Sequence, residues 1–324
     1  MAESSELSDL LAAIAKLRVA VYGDFALDVY WDLAEDGEHS LETGLAVRLV
    51  ARERCSPGGA GNVAANLAAL GAAEVRAVGP VGDDAFGRRL REDLAGRGVN
   101  VGGLEPPHPS WRTPAYAKPM ANGRETQRFD FGTRQGLEEE HLDILAARLA
   151  EATDGCDAVA LNQQIEPGAL PPPMARRLAE LAAGRSGTRF LVDTRRDMSE
   201  LAALPRQRNA ASLGTGLDAA GIEARARQIA GTATLFITLG AGGILVVDGP
   251  NTTHVPAVMV EGPIDPVGAG DATAAALAAA GAAGASAVEA ARLASLAAAV
   301  TVGKLGRTGT ASPAEVLELA ERTA

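Results

Sequence analysis

Near the end of the chain, Asp265-Pro266-Val267-Gly268-Ala269-Gly270-Asp271 runs straight into an alanine-rich stretch. Small residues at a helix start leave backbone N–H groups where the helix dipole favours an anion such as a phosphate. A carboxylate at Asp271, beside an anion hole of Gly268, Ala269 and Gly270, has the chemistry to take a proton from an attacking hydroxyl while the amides hold a transferring phosphoryl group. Asp is also a favoured helix cap, so the alternative is that Asp271 only closes the helix end. A second turn, Ser56-Pro57-Gly58-Gly59-Ala60-Gly61-Asn62, offers a different chemistry. Gly58 and Gly59 lack a Cβ, so a ligand can lie directly on the peptide groups. Asn62 either caps the helix that follows or turns its amide to a polar ligand. A sugar, with many hydroxyls to match, suits both.

These turns need a scaffold that brings them together. Short apolar runs at 18–22, 75–78, 158–161, 189–192, 235–239 and 243–247 read as strands, with helical periodicity between them. Val63, Leu67 and Leu70 share one helical face, as do Phe86, Leu90 and Leu94, and Leu142, Leu145 and Leu149. The alternation predicts an α/β fold: a largely parallel, doubly wound sheet with helices on both faces. Residues 30–55 and 110–131 break the rhythm with short alternating runs such as "PAYAKPM" and "QRFDF", and are expected to form a small inserted β-sheet lid. The main domain is then 1–29, 56–109 and 132–324. A lid sheet is placed to exclude water or to dimerise; two plain surface loops are the alternative.

Gly59-x-Gly61-x-x-Ala64 matches a dinucleotide-binding turn on paper. Such a turn belongs immediately after the first strand, with an acidic residue at a following strand end. Here it lies far downstream of "RVAVYGD", and Asp83 and Asp84 sit in what reads as a loop and helix cap. A nicotinamide oxidoreductase is therefore disfavoured. The chain also has no G-x-x-x-x-G-K-[ST] phosphate loop and no protein-kinase glycine loop with its strand lysine.

Composition narrows the field further. A net charge of -11 argues against nucleic acid as a partner. Two cysteines and four scattered histidines give neither a disulfide framework nor a zinc spacing, and a reducing, cytoplasmic setting is the expectation. The acidic N-terminus is unlike a secretory signal. The uncharged run from Ala272 to Val288 is too rich in Ala and Gly to favour a membrane and reads as a buried helix.

Together these stretches resemble the ribokinase-like (PfkB-type) carbohydrate kinases, over nearly the whole chain. "GDFALD" resembles the family's first strand end, which implies that Asp28 binds substrate hydroxyls; "GGAGN" resembles its substrate-side turn, with Gly58, Gly59 and Asn62. "DPVGAGD" resembles the D-T-x-G-A-G-D signature, which implies that Asp271 is the catalytic base. "TLGAGG" resembles the nucleotide-side strand and turn, implying contacts at Thr238, Gly240 and Gly243. Within the family, "LDVYWDL", "RFDFG" and "VGKLGRTGTASPAEV" most resemble bacterial heptose 7-phosphate kinases, which phosphorylate the anomeric hydroxyl.

The departures are specific. Where those kinases carry S-x-E-A-P, this chain reads Ser40-Leu41-Glu42-Thr43-Gly44. Pro266 replaces the usual Thr of the signature. The N-x-x-E motif, which helps organise Mg2+, has its counterpart in Asn209-Ala210-Ala211-Ser212, without the Glu. By resemblance Asp265 would sit at a monovalent-cation site. The resemblance thus implies ATP and Mg2+, with K+ as the monovalent ion, a sugar or sugar phosphate as acceptor, no membrane partner, and a homodimer through the lid. A phosphorylated acceptor needs a cationic anchor, for which Lys118, Arg128, Arg195 and Arg196 are the candidates. Tyr30, Trp31 and Tyr116 are the aromatics available to wall a sugar pocket. A catalytically weak sugar-binding or regulatory protein that retains the kinase fold is the alternative.

Overall fold

A computed structural model describes residues 2–35, 37–195, 206–209, 219–231, 233–306 and 308–323. Its main sheet has nine strands, in the order Asn251–Val255, Ile244–Asp248, Leu235–Thr238, Arg206–Asn209, Arg189–Thr194, Ala158–Gln163, Arg18–Gly23, Glu74–Pro80 and Val99–Glu105. The first two run antiparallel to their neighbours and the rest are parallel. Ala158–Gln163 is buried throughout, and Arg18–Gly23 at every residue but its first, because helices cover both faces. That is why these strands read as unbroken apolar runs. Helices Ala60–Ala69, Ala269–Ala282 and Ala287–Val302 pack on one face around Val63, Leu67 and Leu70. Glu139–Ala152 and Pro172–Ala183 cover the other, where Leu142, Leu145 and Leu149 lie fully buried.

The largely parallel sheet and its helices agree with the sequence pattern, but three strands escape it. Val99–Glu105 contains a glycine pair, Arg206–Asn209 is entirely polar, and Asn251–Val255 is a short edge strand whose outer side faces no partner strand. None has the apolar run or alternation that marks a strand.

A second sheet orders Phe129–Phe131, Ala115–Ala121, Phe25–Leu33 and Val50–Gly59, with Arg124–Glu125 paired to Ala115–Ala121. Phe25–Leu33 begins ahead of residue 30 and Val50–Gly59 runs past Cys55, so Asp28, Gly58 and Gly59 ride on this sheet. Hydrophobicity alone does not reveal where a continuous strand leaves one sheet for another. The side chains alternate strictly, as the pleat demands. Leu27, Val29, Ala115 and Ala117 are buried towards the core. Asp28, Tyr30 and Asp32 pair across with Ser56, Arg54 and Arg52, and with Tyr116, Lys118 and Met120, making the opposite face polar. Among the described residues, no helix is long and apolar enough to cross a membrane; helix Ala269–Ala282 is instead buried in the protein along Ala272–Ala280.

Candidate active site

Polar residues collect where the parallel strands end, the place at which open α/β sheets bind ligands. Asn162, next to last in its strand, lies in register with Gly23 on one side and Asp193 on the other, and Asn209 lies in register with Thr238. Asp24, just beyond Gly23, accepts three backbone N–H groups from the loop that follows Gln163, those of Gln164, Ile165 and Ala169, at 2.6 to 2.7 Å. That carboxylate fixes the loop rather than facing the cleft.

The two glycine turns meet here. Asn62 Nδ2 donates to Asp271 Oδ2 at 2.8 Å, and Asn62 itself is held from behind by Asn66, whose Nδ2 donates to the Asn62 carbonyl at 2.9 Å. Neither residue is a helix cap: the residue before helix Ala60–Ala69 is Gly59, and Gly268 precedes Ala269–Ala282, leaving Asp271 in its first turn. Gly268 adopts φ 87°, and a Cβ there would lie 2.7 Å from Thr308 Cγ2 and 2.8 Å from Asn62 Nδ2. Glycine is required both for that left-handed conformation and for the approach of the turn to Asn62. Of the three amides expected to lie open, that of Ala269 instead donates 3.2 Å to the Pro266 carbonyl, closing the turn that proline imposes.

Burial pushes the Asp271 carboxyl up to about 6; the Asn62 amide works against this, Asp28 adds to the rise and Arg195 opposes it. Asp193 stands beside it, raised to about 7 by burial first and by the Asp271 charge second, while Arg195 and the Asn162 amide, 3.0 Å away, favour its ionised form. Asp193 and Asn162 were missed in the sequence, although "RFLVD" ends on the carboxylate and its position at a parallel strand end was the available signal. Asp193, a desolvated carboxylate within electrostatic reach of Asp271, is a hard-oxygen donor of the kind that suits Mg2+ shared with phosphates and water. Among the described residues no group of three or more His, Cys, Asp or Glu side chains forms a closed metal cage. Residues 210–212, the remainder of the N-x-x-E counterpart, lie outside the described residues, as does Arg196.

On the second sheet, Asp28 Oδ1 receives Lys118 Nζ at 2.7 Å, both side chains being mostly covered. Burial works against the Lys118 ammonium, but the Asp28 carboxylate and the Tyr30 hydroxyl together hold its pKa above the ordinary value. Gly58 lies against the same carboxylate, its absent Cβ only 3.0 Å from Asp28 Oδ2. Tyr30 is flanked by Lys118 Nζ at 4.9 Å and Arg54 Cζ at 5.1 Å from its ring centre. Its hydroxyl meets Lys118 and Thr308, and Thr308 Oγ1 lies 3.0 Å from Ser56 Oγ. Ser56, Thr308 and Arg54 carry no motif, and only their placement identifies them.

Other candidates lie elsewhere. Arg128 pairs with Asp130 at 2.7 Å on an exposed edge and stacks over Tyr116. Trp31 points to the opposite face of the sheet from Tyr30, donating to Glu53 and lying near Phe129, so it does not wall the cleft. Arg195 is exposed, within electrostatic reach of both Asp193 and Asp271. Thr238 ends its strand, and Gly240 begins a single tight turn in which the amides of Leu239, Gly242 and Gly243 are all bonded internally. A Cβ on Gly243 would lie 2.2 Å from the Val255 carbonyl, so strand packing already accounts for glycine there. The Asp265 carboxylate accepts the N–H groups of Val267 (3.1 Å) and Gly306 (3.2 Å).

Comparison with known proteins gives the family and the fold. The family model for pfkB family carbohydrate kinases matches residues 16–315. The bifunctional protein HldE of Caulobacter sp. (strain K31) is 37% identical over 290 residues, covering 83% of this chain and 56% of that protein. A D-beta-D-heptose 7-phosphate kinase from Bordetella bronchiseptica is 36% identical over 149 residues, covering 46% of each. The chain spans about half the length of these curated relatives. In fold, phosphofructokinase-2 from Escherichia coli, crystallised in complex with potassium, aligns with a TM-score of 0.76 at 21% identity, over 95% of this chain and 99% of that one.

Proposed function

The chain belongs to the pfkB family of carbohydrate kinases, and from that premise we propose that it transfers the γ-phosphoryl group of ATP to a hydroxyl of a sugar or sugar phosphate. The observation that carries the reading is the Asn62–Asp271 hydrogen bond, because it joins the acceptor-side turn to the carboxylate at the anion-binding turn. Asp271 takes the proton of the acceptor hydroxyl as its oxygen bonds to the γ-phosphorus, and the bond from that phosphorus to the bridging oxygen breaks to release ADP. The start of helix Ala269–Ala282 faces the charge on the transferring group. Asn62 keeps the base oriented and favours its ionised form, which is needed for proton uptake.

Magnesium would supply charge neutralisation at the ATP phosphates when bound, and Asp193 is the carboxylate that would help hold it where the motif lacks its Glu. Thr238, Gly240, Gly243 and Asn209 form the nucleotide end, Asp265 a K+ site, and Asp28 with Lys118 the acceptor pocket. The relative named for heptose 7-phosphate supports a heptose 7-phosphate-like acceptor, and the resemblance of the sequence implies its anomeric hydroxyl as the one phosphorylated. A homodimer through the second sheet accords with the exposed Leu41, Leu45, Leu49 and Val50 of that region. The setting is cytoplasmic.

The test is ADP release with ATP and Mg2+ across heptose 7-phosphate, hexose phosphates and unphosphorylated sugars. Turnover that saturates with a sugar phosphate and fails with its plain sugar is expected. Saturable sugar binding without ADP release would identify a binding or regulatory protein instead.

A further inference from the structure

Gly306 has both polar groups of its backbone held by side chains from different parts of the molecule. Its N–H donates to Asp265 Oδ2 at 3.2 Å, and its carbonyl accepts from Arg54 Nη1. Arg54 stands on strand Val50–Gly59, paired directly with Tyr30. Its guanidinium is clamped on Asp32 through Nε (3.0 Å) and Nη2 (2.9 Å). A bidentate carboxylate pair with a ring beside it restricts the planar fork to one orientation, and the remaining nitrogen then points at a fixed place. That place is the Gly306 carbonyl.

The segment it grips is anchored on its other flank as well. Lys304 Nζ donates to the Thr310 carbonyl and pairs with Glu315 at 2.6 Å. Thr308 bonds the Ser56 hydroxyl and fills the space beside Gly268, the residue that starts the catalytic helix. The second sheet thus holds Gly306 through Arg54, and Thr308, two positions on in the sequence, touches the turn that precedes Asp271.

We propose that Arg54 is a positioning residue: carried by the second sheet, it locks Gly306, and with Thr308 nearby in the chain it holds the start of the catalytic helix against the acceptor pocket. Its kinetic consequence rests on the kinase reading; the locking itself does not. Lysine, with one donor centre, cannot grip Asp32 in two places and Gly306 in a third.

The experiment compares the full chain with Arg54→Gln and Arg54→Lys by amide hydrogen exchange and by steady-state kinetics with whichever sugar supports turnover. Exchange at residues 303–309 should quicken about tenfold in both variants while strand Ala158–Gln163 keeps its protection. The kcat should fall about 10–100-fold with both KM values nearly unchanged, since misplacement of about an ångström costs that much. Unaltered exchange at 303–309, an effect confined to the acceptor KM, or full recovery by lysine would each overturn the proposal. If the Arg54 variants do not fold, Asp32→Asn, which removes the clamp but keeps the guanidinium, must show the same local loss of protection. A wild-type chain that turns over no sugar defeats the kinase reading, and the exchange data then decide the lock by themselves.

Discussion

The two halves of the cleft are built by different means. On the acceptor side, side chains fix one another: Lys118 on Asp28, Thr308 on Ser56, Asn62 on Asp271. On the side proposed for the nucleotide, the backbone provides the shape: the amides of Leu239, Gly242 and Gly243 close their own turn, and Gly243 is pressed against Val255. The contrast teaches where substitution matters. Changing one side chain removes a function from the first half, whereas the second responds to changes that move the chain.

The sharpest test of that contrast is Asp271→Asn. It should lower kcat by about 10²–10⁴ while the ATP dissociation constant, measured by calorimetry, stays nearly intact. An unchanged kcat would remove Asp271 from its role and collapse the distinction.

Asn62→Leu comes next, with an expected loss of about 10–100-fold in kcat. Because the amide favours the ionised carboxylate, its removal should also move the acid limb of the kcat/KM profile upward from its position near pH 6. A lower kcat with an unmoved limb would make Asn62 a packing residue only.

Asp193→Asn probes stability. In the folded protein the carboxyl is raised to about 7, so the native state binds its proton more tightly than the unfolded chain, whose value is about 3.9. Its stabilising contribution is full below about pH 4 and is lost as pH rises through 7. Asparagine mimics the protonated form, so the variant should match the wild type near pH 4 and gain about 5–10 °C in Tm at pH 8. Adding Mg2+ should raise the Tm of the wild type more than that of the variant.

The smallest effect belongs to the nucleotide half. Thr238→Val should change the ATP KM by less than about fivefold, roughly 1 kcal/mol, the net worth of one hydrogen bond. A loss as large as that of Asn62→Leu would erase the difference between the halves.

Much of this cleft is legible in the sequence, for reasons that differ by residue. Parallel strands buried on both faces leave continuous apolar runs, so 158–161 and 189–192 announce themselves, and the bare turns 58–59 and 268–270 announce close backbone approach. Arg206–Asn209 does not, because its four residues are all polar and its strand character comes from neighbours on both sides. Asp193 is hidden for a related reason: a strand-end carboxylate looks like any solvated acid until Asn162 and Asp271 are beside it. Thr308 and Ser56 lie at opposite ends of the chain, and only tertiary contact gives their hydroxyls a shared role. Trp31 was misleading because a pocket residue was read from its type, whereas the two-residue period of its strand decides which way it points.

The alanines of helix Ala269–Ala282 have an effect beyond filling space. Neighbouring helix axes come to about 8 Å when methyl groups meet and stand near 10 Å when larger groups intervene, so the bare flank from Ala272 to Ala280 acts as a spacer of fixed gauge for the far end of the rod. Swapping one of them for leucine would tilt that rod and lift the end that carries Asp271, so a buried methyl far from the polar strand ends would govern the activity proposed above.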